Sequence, residues 1–332
     1  MSKPIKPAFD VPPPSPLLSY LRLMRLPNVF TAIADIAMGF LFVNQYDRLP
    51  QQWPVLALLI AASALIYTAG MILNDVCDLE TDRRERPSRP IPSGQISLST
   101  ALRLGSLFLF NGVMFAAAAG WMHSTNEAPP WRSGVVAAQL ALTVIAYNAW
   151  LKRTPLGPLA MGACRLLNVL LGMSAAGIAV PPEATFLSYH ASSWIIALGM
   201  CVYVAGITWF ARSEATQSSR TQLILATIVL TAGIAILALF AQLPHPEKPT
   251  RLAPHMVWLL FGILSLSMLR RAFVAIQDPQ PGYVQAMVKH CILSIIVLNA
   301  AITLLTTGPV PGLAIAALML PAFLLGRWVY ST

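Results

Sequence analysis

The stretch Leu73-Asn74-Asp75-Val76-Cys77-Asp78-Leu79-Glu80-Thr81-Asp82-Arg83-Arg84 decides how this chain is read. It follows an apolar run from Trp53 to Leu73 that is long enough to cross a bilayer, so an acidic cluster stands where a membrane helix meets its polar boundary. If the helix continues, Asp75, Asp78 and Asp82 fall at i, i+3 and i+7 and stack three carboxylates on one face, with Asn74 and Asp78 at i and i+4. Like charges on one stripe repel, and polar groups at membrane depth are costly unless they serve a site. A divalent cation removes the conflict. Hard oxygen ligands from one or two carboxylates, completed by water and by phosphates of a substrate, describe a Mg2+ site for a phosphorylated ligand. The plainer alternative is a solvated, charged helix end without metal.

Composition sets the frame around this stretch. The 332 residues are 56% hydrophobic and only 11% charged, with a mean hydropathy of +0.66, which excludes an ordinary soluble domain and specifies an all-α, polytopic membrane helical bundle. At about 20 apolar residues per crossing, ten spans are expected: 26–43, 53–74, 101–122, 133–151, 156–179, 192–211, 221–243, 253–270, 285–306 and 309–328. Pro309, Pro311 and Pro321 interrupt the last, and a re-entrant helix there would leave nine. Residues 1–20, rich in proline and lysine, read as a disordered cytoplasmic tail without a cleavable signal, and 21–332 as one transmembrane domain. Of the 22 lysines and arginines, 17 fall on the side of Arg25, the Arg83–Arg89 loop, Lys152 and Arg212. Four fall on the other side, and Arg165 lies inside a span. The positive-inside rule makes the first side cytoplasmic, and the acidic stretch with it. The formal charge of +9 is thereby explained by topology, and nucleic acid is not an expected partner. Four single cysteines and five scattered histidines show no metal-ligand spacing.

Other polar residues are placed to share a site with the acids. The loop Arg83–Ser97 combines four arginines with three prolines, and guanidinium forks suit bidentate contact with phosphate. Arg83 and Arg89 are therefore candidate phosphate ligands, although the same loop also serves to orient the protein. Tyr147 and Lys152, at the next cytoplasmic turn, reach a common pocket or else belong to the interfacial belt. Arg165 lies inside the fifth span with Asn168 one turn on, and a membrane arginine faces a cavity or a partner. It either steadies a pyrophosphate or pairs with a carboxylate, with Asp35 and Glu214 as structural competitors. Arg25 and Asn28 stand at the cytoplasmic entrance of the first span, from which both could face the same cavity as the acids, a placement that spacing alone leaves open.

With Asn74-Asp75-x-x-Asp78-x-x-x-Asp82, the loop ending Arg89-Pro90-Ile91-Pro92-Ser93-Gly94, and Tyr147 to Lys152, the chain resembles the UbiA superfamily of intramembrane prenyltransferases from about Leu21 to the ninth span. Within it, Met161 to Asn168 and Gly206 to Glu214 look most like the EboC proteins of bacterial ebo clusters, which implies a bacterial inner membrane. The resemblance implies a bundle around a central cavity open to the cytoplasm and to lipid. It also implies an isoprenyl diphosphate bound through Mg2+ on Asp75, Asp78 and Asp82, assisted by Asn74, and a prenyl group captured by an unidentified small acceptor, an aromatic metabolite being one candidate. One departure stands out: the family's second aspartate-rich motif, after the sixth span, is here Thr208 to Arg220 with the single acid Glu214. Either Arg212 touches phosphate in place of the second metal, or the protein is a non-catalytic membrane component that binds or moves a lipid phosphate or secondary metabolite.

Overall fold

In hydrocarbon every backbone N–H and C=O must be bonded within its own segment, so long apolar runs fold as helices. The computed structural model describes residues 16–123, 128–177, 185–186, 188–213, 218–243 and 250–328. The helices are α1 (Pro16–Leu23), α2 (Val29–Val43), α3 (Leu49–Cys77), α4 (Leu79–Glu85), α5 (Leu98–Met122), α6 (Arg132–Ala149), α7 (Gly157–Gly172), α8 (Ala191–Phe210), α9 (Arg220–Ala238), α10 (Pro254–Gln277), α11 (Pro281–Thr306), α12 (Pro309–Ala316) and α13 (Met319–Trp328). A two-residue hairpin, β1 (Thr185–Phe186) with β2 (Tyr189–His190), precedes α8. The long helices neighbour one another in chain order, α11 closes back on α2, and α2 also packs on α7 across the middle.

Among the described residues, eight helical segments are long and apolar enough to cross a membrane, which agrees with an integral membrane bundle. The fourth and fifth expected spans are the shorter α6 and α7. The helix of α7 ends at Gly172 rather than near residue 179, because Ser174 leaves the ladder: its hydroxyl bonds Leu171 O at 2.6 Å and its carbonyl accepts from Arg132 Nε at 2.8 Å. The last span is broken into α12 and α13. Pro321 has no N–H to give Ala317 O, and Leu320 N takes that carbonyl instead at 3.0 Å. At the N-terminus, the expected tail up to residue 20 is shortened. Residues 16–23 form α1, where Ser19 is buried and donates to Gln95 Oε1 at 2.6 Å.

Helices surrounded by lipid gain little from apolar burial against one another, so close packing of small residues carries their association. Gly39 and Gly172 let α2 and α7 cross, each facing backbone of the other, and Gly199, Gly206 and Gly233 do the same for α8 and α9. Outward-facing Phe110, Leu142, Leu259, Ile263 and Leu266, more than half exposed, form part of the apolar belt that such a bundle presents to lipid.

Candidate functional site

The polar end of α3 is where the acidic stretch folds. The helix yields at Asp78 (φ −96°, ψ 7°) and resumes as α4, but Asp78 N still bonds Asn74 O and Asp82 N bonds Asp78 O, so the expected one-faced stripe survives the bend. Asp75 and Asp82 are buried, and Asp78 is the more open of the three. Each is held by a cation brought from another segment.

Arg25 donates from Nη2 to Asp75 Oδ1 at 3.0 Å. It sits just after α1 in the left-handed region (φ 45°, ψ 46°), a position that usually falls to glycine at a helix C-terminus and costs a residue with a side chain about 1–2 kcal/mol. That backbone turns the chain from α1 into Pro27 and the start of α2 while aiming the guanidinium at α3. Arg89 comes from the proline-rich loop. Ser93 N and Oγ bond Arg89 O, Ile96 N bonds Pro90 O, and Ile91 and Ile96 pack with Leu23 and Ile72, so the loop is anchored under α1. From there Arg89 Nη1 bridges Asp82 Oδ2 at 2.7 Å and Asp75 Oδ1 at 3.2 Å. Lys152, on the turn after α6, reaches Asp78 Oδ1 at 2.7 Å and Asn74 Oδ1 at 3.1 Å.

Below this cluster lies a cavity of about 80 Å³ between α2, α3, α6, α7 and α8. Its lining is mostly apolar, with Ile66, Met71, Leu140, Val144 and Val204, and carries Ser63, Tyr67, Tyr147, Asn148, Arg165 and Asn168 as polar members. Tyr147 is thus a pocket residue rather than a belt residue, and Asn28 faces Tyr67 from the start of α2.

Deeper still, Asp35 is fully buried and fully engaged. Arg165 Nη1 donates to Asp35 Oδ2 and to Thr31 O, Asn168 Nδ2 donates to Asp35 Oδ2 at 2.9 Å, and Asn299 Nδ2 donates to Asp35 Oδ1 at 2.8 Å. Ser63 Oγ closes the network on Asn168 Oδ1 at 2.6 Å. The structural pairing with Asp35 is therefore the one realised for Arg165 and Asn168, because a charge buried this far from water must find its partner in the bundle.

Two expected phosphate ligands, Arg83 and Arg212, are not assembled with the rest. Arg83 is exposed and pairs with Glu80 one turn away on α4, since the helix turns that position outward. Arg212 is exposed and donates to Thr154 O at 2.9 Å. Glu214 lies outside the described residues. Residues that the sequence reading passed over are Tyr67, Ser63, Asn148 and Asn299. Each is a polar residue inside an apolar run, and that placement was the available signal.

The donor set suits Mg2+: hard oxygens from Asp75, Asp78, Asp82 and Asn74, beside cations able to take phosphate. In the geometry present, each carboxylate turns to a guanidinium or ammonium, and among the described residues no three acidic, histidine or cysteine side chains converge as a ready cation cage. A metal would share these oxygens after the ion pairs rearrange.

An intramembrane helical bundle with an acid-and-base mouth above an apolar chamber is the class of protein these features define. The chain belongs to the UbiA prenyltransferase family, whose model matches residues 36–270. It is 30% identical over 177 residues to digeranylgeranylglyceryl phosphate synthase of Metallosphaera sedula, covering 53% of either chain. To the protein of the same name from Methanococcoides burtonii it is 36% identical over 145 residues, 41% of this chain and 47% of that one. The chain thus spans about half the length of these curated relatives. A solved structure of digeranylgeranylglyceryl phosphate synthase shares the fold, with a TM-score of 0.59 at 20% identity over 87% of this chain and 98% of that one. These relatives are archaeal and do not carry the EboC name, so the family and the membrane setting are what is shown, and the narrower bacterial resemblance is not.

Proposed function

We propose that this protein transfers an isoprenyl group from a prenyl diphosphate to the hydroxyl oxygen of an acceptor, with the diphosphate bound at the cytoplasmic end of the bundle. The names of the curated relatives favour a glyceryl phosphate lipid as acceptor over a small aromatic metabolite. The observation that carries the reading is the joining of Arg25, Arg89 and Lys152 with Asp75, Asp78 and Asp82 directly above an apolar cavity. In the reaction the bond from prenyl C1 to the diphosphate oxygen breaks with its electron pair leaving on the diphosphate. The acceptor oxygen bonds to C1 and releases its proton.

The chain's own residues have separable parts in this. Arg25, Arg89 and Lys152 bind and orient the diphosphate and offset charge that grows on it as the bond breaks. Apolar Ile66, Met71, Leu140 and Val144 hold the prenyl tail and exclude water from the allylic centre. Asp75, Asp78 and Asp82, with Asn74, would hold Mg2+. When bound, the ion supplies further charge stabilisation for the leaving group.

A second reading, a protein that binds a lipid phosphate without transfer, is favoured by one observation: the carboxylates already have cations as partners. Pyrophosphate release by the protein reconstituted in lipid separates the two. With Mg2+, C10 to C20 prenyl diphosphates, and either a prenylglyceryl phosphate or 4-hydroxybenzoate, transfer requires release that depends on both metal and acceptor and disappears in Asp78→Ala. Tight diphosphate binding with no release under any of these conditions would establish the second reading instead.

A further inference from the structure

Asn148 is a buried polar residue that neither the ionic cluster nor the Asp35 network uses. It lines the cavity, and its amide is fixed in orientation: Nδ2 donates to Gly70 O on α3 and to Val144 O on its own helix, both at 3.1 Å. With the nitrogen spent on two carbonyls, the oxygen is the free end, and Asn148 Oδ1 is buried without a hydrogen-bond partner. An amide oxygen left unpaired away from water is costly, and native structures keep few of them without a reason.

Its depth gives the reason. Asn148 meets Gly70, and one turn further toward the polar end Lys152 meets Asn74, so α3 and α6 are cross-linked at two successive levels. One helical turn is about 5.4 Å. A headgroup held by Lys152 and Asn74 therefore places the first atoms of whatever it carries beside Asn148. The unpartnered group at that level is an acceptor, so it calls for a donor on the ligand, and the neighbouring wall of Met71 and Val144 calls for an apolar remainder.

We propose that Asn148 Oδ1 recognises a hydroxyl group on the ligand in this cavity, making Asn148 a specificity residue for an alcohol-bearing molecule. The inference rests on the cavity being the ligand chamber of the proposed function and deepens that reading: it assigns the acceptor's hydroxyl its place. It adds no covalent step.

Geraniol and geranyl methyl ether test it, since they differ by one donor and share a tail. Their binding to the full chain in nanodiscs is measured against empty nanodiscs. One neutral hydrogen bond corresponds to roughly a five- to tenfold difference in affinity, and the alcohol should bind tighter by about that factor. Asn148→Leu should erase the preference by weakening geraniol while leaving the ether as before, and Asn148→Asp, which keeps an oxygen, should retain it. Asn148→Ala takes the place of N148L if that variant does not fold. Equal binding of alcohol and ether by the unaltered protein, or a preference that survives in the Leu or Ala variant, overturns the proposal. The pyrophosphate assay keeps the two failures apart. Release without an alcohol preference sinks only the role of Asn148, whereas an alcohol preference without release sinks only prenyl transfer.

Discussion

Arg89→Ala tests how the mouth of the bundle is held together. Arg89 and Asp82 have side chains only 11% and 5% exposed, and among the described residues no other cation lies within 4 Å of Asp82. Asp75, its other partner, keeps Arg25. Removing the guanidinium therefore leaves one buried carboxylate without a partner rather than two. Breaking a buried pair typically costs about 3–5 kcal/mol, and the lower end, about 3 kcal/mol, is expected because a single acid is orphaned. Set against total stabilities of about 5–15 kcal/mol, that is a large loss. Most of it belongs to the stranded charge, so Arg89→Ala combined with Asp82→Asn should recover about 2 kcal/mol relative to Arg89→Ala alone. Arg89→Lys should fall between, since an ammonium is a point charge on a different stem and replaces the guanidinium poorly at a bridging position. Reversible unfolding in mixed micelles, followed by circular dichroism, gives all four values. A loss under about 1 kcal/mol for Arg89→Ala, or a double variant no more stable than the single one, would refute this account of the mouth.

Three further expectations follow from the packing. Asp35→Asn should destabilise the bundle by about 3–5 kcal/mol in the same unfolding assay, because it leaves Arg165 buried without its counter-charge. Gly206→Ala should lower stability by about 1–3 kcal/mol, since the added methyl would meet the backbone of Leu230 where α8 and α9 cross; an unchanged midpoint would contradict that close approach. Leu140 lines the cavity two turns below Asn148 on α6, about 12 Å along the helix, so Leu140→Trp should shift pyrophosphate release toward the shorter prenyl diphosphates. Retention of the same chain-length profile would place the tail elsewhere.

Much of this was readable before any coordinates. The apolar runs specified the bundle because lipid leaves helices few alternatives, and the spacing of Asp75, Asp78 and Asp82 put them on one face whether or not α3 bent at Asp78. Arg89 and Lys152 were legible as cations flanking the acids. What spacing alone left open was which of several candidates turned inward. Arg83 lies one residue beyond Asp82, yet the turn of α4 sends it to solvent, whereas Arg89 returns because a proline-rich loop folds under α1. Arg165 had two plausible acids, and only the crossing of α2 with α7 selects Asp35. Asn299 was hidden for a related reason: α11 is remote in sequence, carries no charge near that residue, and meets α2 only when the bundle closes.

One property of the mouth has a bearing on what the protein ignores. Its three acids, Asp75, Asp78 and Asp82, stand against four bases, Arg25, Arg89, Lys152 and the exposed Arg153, which lies 4.0 Å from Asp78, so this group of side chains carries a single net positive charge. A single net charge exerts little pull beyond the screening distance of about 10 Å at 0.1 M salt. Ligand capture should accordingly change little with ionic strength, and a steep decline on adding salt would contradict this. A bare polyphosphate entering such a site brings uncompensated negative charge into a poorly hydrated place. A ligand that carries its own counter-cation and an oily tail does not. On the proposed function, such an entrance would discriminate by the ligand's own counter-charge and tail rather than by long-range attraction of anions.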